Sequence, residues 1–98
     1  MPKKTPAKNG SSAKVTFELR EVEAQAVHLA GDFNDWSITD TPLVRRKDGR
    51  FNTTLTLPAG KAYRYRFVLD VERWTNDGEA DRYEPNDHGS EDGVLDLR

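Results

Sequence analysis

From Lys14 onward, apolar and polar side chains alternate with a period of two. Val15, Phe17 and Leu19 are separated by Thr16 and Glu18, and Phe51, Thr53, Leu55 and Leu57 by Asn52, Thr54 and Thr56. A pleated strand sends successive side chains to opposite faces, so each run predicts a strand with one wet face. Tyr63, Tyr65, Phe67 and Leu69 repeat the pattern with Arg64, Arg66 and Val68 opposite, and Val27 with Leu29 and the C-terminal Val94-Leu95 add shorter strands. No segment carries a sustained i, i+3, i+4, i+7 apolar stripe between capping residues, so no long helix is expected. Asp48-Gly49 falls between Leu43-Val44 and Phe51, and Pro58-Ala59-Gly60 between Leu57 and Tyr63. Both stand where a hairpin must turn, and glycine reaches positive φ there without a Cβ clash. Short strands joined by hairpins predict an all-β fold, an antiparallel β-sandwich of about seven short strands.

The pattern fails in two places. Residues 1–13 hold Lys3, Lys4, Lys8, Pro2, Pro6, Gly10 and Ser11-Ser12 with almost no apolar side chain. They bury too little surface to offset ordering entropy and read as a solvated, disordered basic tail, which leaves residues 14–98 as the folded unit. Between Thr75 and Asp92 the acidic residues Asp77, Glu79, Asp81, Glu84, Asp87 and Glu91 mix with Gly78, Pro85 and Gly89, the composition of a surface loop.

Composition then narrows the chemistry. A chain of 98 residues accommodates one small domain. Fifteen basic against seventeen acidic residues give a net charge of −2, which offers nucleic acid no overall attraction. The absence of cysteine removes disulfides, thiol nucleophiles and the commonest structural zinc sites. Apolar stretches fall far short of the ~20 residues that span a bilayer, no membrane partner is expected, and the N-terminus lacks the apolar region of a secretory signal. A cytoplasmic location is the default expectation.

Few groups are available for catalysis. His28 and His88 are the only histidines, far apart and in no metal-ligand spacing. His28, between Val27 and Leu29, turns to the face opposite them as a surface or inter-strand packing residue. No nucleophile elbow, phosphate-cradling loop or dinucleotide-binding glycine pattern occurs. Carboxylate pairs arise by chance among 17 acidic residues, and a sandwich this small leaves little room for the cleft a glycosidase needs to raise one pKa. The run Asn76, Asp77, Glu79 and Asp81 offers oxygen ligands suited to Ca²⁺, but it does not match the EF-hand spacing and reads more simply as a solvated loop. No catalytic activity, metal or cofactor is expected. The tryptophans are more informative. Trp36 ends Gly31-Asp32-Phe33-Asn34-Asp35-Trp36, and Trp74 lies in Glu72-Arg73-Trp74-Thr75-Asn76-Asp77. An indole face beside amides and charges is a platform on which the C–H groups of a sugar stack while its hydroxyls find partners nearby. The alternative is that one or both indoles seal the end of the sandwich.

These two segments, together with Pro58-Ala59-Gly60 and Tyr63-Arg64-Tyr65-Arg66-Phe67-Val68-Leu69-Asp70, closely resemble the family-48 carbohydrate-binding modules over roughly residues 14–98. That family includes the glycogen-binding domain of the AMP-activated kinase β-subunit and the early set domains of isoamylases and branching enzymes. The resemblance implies an immunoglobulin-like sandwich that binds α-1,4-glucans such as glycogen, starch or maltooligosaccharides without cleaving them. Trp36 and Trp74 match the two indoles that stack on successive glucose rings, and Arg66 matches a lysine that hydrogen-bonds glucose hydroxyls. Asp92 falls where kinase members have a sugar-binding asparagine; it keeps an acceptor and loses the amide donors. Ser90 replaces a neighbouring threonine, and His88 stands where an apolar residue packs against the glucan. Val71 occupies a turn position where relatives commonly have glycine, which predicts a different turn before Trp74. Gly78 sits where stand-alone relatives often carry an aromatic. The departures at His88, Asp92 and Val71 also motivate a competing reading, in which the sandwich has lost its sugar site and docks a glycogen-metabolising enzyme.

Overall fold

A computed structural model describes residues 2–8 and 10–98. Met1 and Asn9, both within the expected tail, lie outside the described residues. Nine strands form two sheets, with no helix among the described residues: β1 (Lys3–Pro6), β2 (Ser12–Leu19), β3 (Val27–Gly31), β4 (Val44–Arg45), β5 (Phe51–Pro58), β6 (Ala62–Leu69), β7 (Arg73–Thr75), β8 (Arg82–Pro85) and β9 (Glu91–Asp96). The first sheet runs β1-β2-β5-β4 and the second β3-β6-β9-β8, with β7 also on β6 and every pairing antiparallel. The all-β sandwich is as the alternation predicts.

The inward positions are those of the period-two runs. Ala13, Val15 and Phe17 of β2 meet Leu29 of β3, Tyr63, Tyr65 and Phe67 of β6 and Leu95 of β9, all buried. Phe17 and Tyr65 pack edge to face across the sheets, their centroids 5.1 Å apart, the arrangement the ring quadrupoles favour.

Three expectations are corrected. Lys3–Pro6, expected to belong to a disordered leader, pair with Ala13–Thr16 as an edge strand. A composition argument counts apolar area, whereas an edge strand gains its place through backbone hydrogen bonds to an open neighbour. Lys4 adds a clasp between the sheets: its Nζ donates to Asp81 Oδ2 at 2.6 Å and to the Asp96 carbonyl at 3.1 Å. The strands number nine rather than about seven, because β1, β4, β7 and β8 are only two to four residues long and too short to display a period. The acidic segment from Thr75 to Asp92 is no plain surface loop either. It contains β8 and the buried Asp77, whose Oδ2 accepts from the Tyr65 hydroxyl at 2.8 Å and whose Oδ1 accepts from the Glu79 amide at 2.9 Å. Burial, reinforced by the Asp77 charge, pushes the Tyr65 hydroxyl well above its ordinary pKa and keeps it a donor.

The central strand of the second sheet positions the site. β6 pairs with β3 along one edge; along the other it pairs with β9 from Ala62 to Tyr65 and with β7 from Phe67 to Leu69. Arg66 stands at the change of partner.

Candidate functional site

On the outer face of the second sheet, register places His28, Val68 and Trp74 in one row, Ala30 and Arg66 in the next, and Arg64, Val94 and Arg82 in a third. Ala30, Val68 and Val94 are at most 1% exposed, although their side chains point away from the core. Neighbouring side chains on that face therefore shield them from solvent. The same face opens into a cavity of about 720 Å³ lined by Trp36, Arg64, Arg66, Trp74, Pro85, Asn86, Asp87, His88 and Asp92.

Each indole is held by a built turn. Gly31 cannot be another residue: a Cβ there would lie 2.5 Å from the Phe33 ring and 2.6 Å from the Arg64 carbonyl oxygen. Phe33 drops towards the core between Phe17 and Tyr63. The Asp32 amide donates to the Arg64 carbonyl and its carboxylate accepts from the Arg64 amide, at 3.1 and 3.2 Å. Asn34 ties the turn together, accepting from the Gly31 amide at 3.0 Å and donating to the Leu29 carbonyl at 2.8 Å and the Thr41 hydroxyl at 3.0 Å. The chain then passes through left-handed backbone at Asp35 and Trp36, φ 55° and 58°, and this turns Trp36 into the cavity.

Trp74 rides on the β6–β7 hairpin and is 42% exposed. Asp70 and Val71 make its turn with φ 53° and 65°. Positive φ at both positions is what a type I′ turn requires of its central residues, and it forms here without a glycine. The β-branched Val71 is strained into it. Asp70 holds the turn in place: its Oδ1 accepts from the Gln25 and Ala26 amides at 2.8 and 3.0 Å and its Oδ2 from Arg73 at 3.1 Å. Those amide hydrogen bonds, with Arg73 behind them, hold its carboxyl below the usual aspartate range.

The expected site residues divide. Trp36, Trp74, Arg66, His88 and Asp92 meet at the cavity, whereas Ser90 lines a neighbouring hollow with Asn76, Pro85, Asn86, Gly89 and Glu91. Asp92 is buried and its oxygens are engaged, Oδ2 accepting from Arg64 Nε at 3.1 Å and Oδ1 from Asn86 Nδ2 at 3.0 Å. Asn86 in turn shapes the 86–90 loop, its Oδ1 accepting from the His88 and Ser90 amides at 3.0 and 3.1 Å. Gly78 has open space around it and belongs to a hollow with Pro2, Glu18, Leu19, Arg20, Asp77 and Glu79, away from the indoles. The acidic run considered for a cation is dispersed: Asn76 donates to the Glu91 carbonyl, Asp77 bonds Tyr65 and Asp81 pairs with Lys4.

Sequence reasoning missed Arg64, Pro85, Asn86 and Asp87. Arg64 alternates on β6 with the same outward phase as Arg66, which was a usable signal. The other three lie in the stretch taken for plain loop.

An open cavity lined by two indoles and two guanidiniums, mounted on a β-sandwich, is the build of a carbohydrate-binding module. Comparison with protein families bears this out: residues 13–97 match the glycogen recognition site of AMP-activated protein kinase. The chain belongs to that family, a glycan-binding one whose modules are typically non-catalytic. No individual curated protein matched it.

Proposed function

We propose that this protein binds α-1,4-glucan chains such as glycogen, starch or maltooligosaccharides and does not cleave them. Trp36 and Trp74 stack on glucose rings, Arg66 donates to hydroxyls between them, and the His88 edge of the loop closes one side. The observation that carries the reading is the convergence of two indoles from separate turns on one open cavity that Arg66 also lines. Stacking removes apolar sugar faces from water, while each hydroxyl exchanged from water to protein contributes only ~0.5–1.5 kcal/mol. Binding of short oligosaccharides is therefore expected between ~10 µM and millimolar, with gains on polymers from repeated sites. Titration with maltoheptaose, followed by tryptophan fluorescence, tests it: a saturable change is expected, and no response at millimolar sugar would overturn the reading.

A further inference from the structure

Arg64 and Arg66 share one face of β6 and both line the cavity, yet their charges are handled differently. Arg64 is neutralised. Its guanidinium meets Asp92 and Glu84 and also donates to the Glu84 and Pro85 carbonyls. The Arg66 side chain has no ion pair, hydrogen bond or aromatic ring beneath it among the described residues, and its Nε is buried with no acceptor. Asp87, the other acidic side chain of the cavity besides Asp92, is exposed on the facing loop.

An unpaired cation lining the same cavity as two indoles is an attraction waiting for a partner. A sugar hydroxyl satisfies one N–H and leaves the charge uncompensated. A two-oxygen anion matches the planar fork, and such charge-assisted hydrogen bonds are roughly twice as strong as neutral ones. We propose that the cavity prefers α-glucan chains bearing an oxyanion substituent, a phosphate monoester or a carboxylate at C6, over unsubstituted chains. Arg66 is the residue that receives it and determines this specificity. The inference rests on the glucan-binding reading above.

The test titrates the full chain with four maltodextrin preparations of equal length: unsubstituted, phosphate-bearing, phosphate-bearing after phosphatase treatment, and oxidised to the C6 carboxylate. Tighter binding of an anionic form by about fivefold or more at low salt is expected, with the advantage lost after phosphatase and shrinking as salt screens the charge. The two anionic arms tell which substituent the site takes. Arg66→Gln should bring the anionic-to-neutral affinity ratio close to one, while Arg66→Lys, a point charge without the fork, should leave an intermediate ratio. Equal affinity for neutral and anionic chains overturns the inference and leaves the glucan reading standing. Binding of none of the four overturns both. A ratio that survives Arg66→Gln overturns the assignment to Arg66.

Discussion

The two outer faces of the sandwich are made by the same alternation and end in opposite states. On the first sheet, Thr16 and Thr54 hydrogen-bond each other across β2 and β5 at 2.9 Å, Glu18 accepts from Arg20 and Arg50, and Arg46 donates to Asn52. Its polar groups satisfy one another, and the Arg20 and Arg50 guanidiniums hold the Glu18 carboxyl below its ordinary range. On the second sheet two indoles line a cavity with Arg66, whose side chain is left without a partner. A face whose hydrogen-bonding capacity is spent internally has little to offer a ligand; one that keeps a cation unpaired beside two indoles has more.

Removing an indole should break the contrast most sharply. Trp36→Ala or Trp74→Ala is expected to weaken maltoheptaose binding by at least about tenfold, read by calorimetry, while the Thr16→Val and Thr54→Val double variant on the opposite face leaves sugar affinity unchanged. Asp92→Asn comes next. Both Arg64 and Asn86 donate to this carboxylate, and an amide can accept on only one side, so a loss of about three- to tenfold in affinity is expected with retained fold by circular dichroism. Val71→Gly relieves left-handed backbone and should raise the unfolding free energy by ~0.5–1 kcal/mol in urea titration. The smallest effect is on acid stability. Asp70 and Glu18 have folded pKa values below their unfolded ones, so their contribution is complete above the unfolded carboxylate range near ~4 and declines as pH falls through the folded values. Asp70→Asn should flatten that slope of melting temperature below about pH 4, and an unchanged slope would contradict it.

The long strands were legible because eight-residue runs such as β2, β5 and β6 display their period, and the core followed from it. Trp36 and Trp74 stood out because their polar surroundings conflicted with a core role. The rest depended on tertiary pairing. Three-residue β7 and four-residue β8 exist because β6 and β9 offer them open edges, and no local composition signals that. Ser90, matched through the family resemblance to a threonine, lines the adjoining hollow on the Asn86-centred loop. Nothing in the sequence shows that Asp92 is held by Arg64 and Asn86.

The change of neighbour along β6 has a mechanical side. β7, with Trp74, and β9, with Asp92, border the same strand end to end without being joined to each other by strand pairing, so a seam crosses the sheet at Arg66. A stiff chain of sugars laid from one indole towards the 86–88 loop would bridge that seam like a splint across a joint. Occupancy would then brace the backbone on both sides of Arg66, and amide exchange at Phe67–Leu69 and at Asp92–Gly93 would slow together.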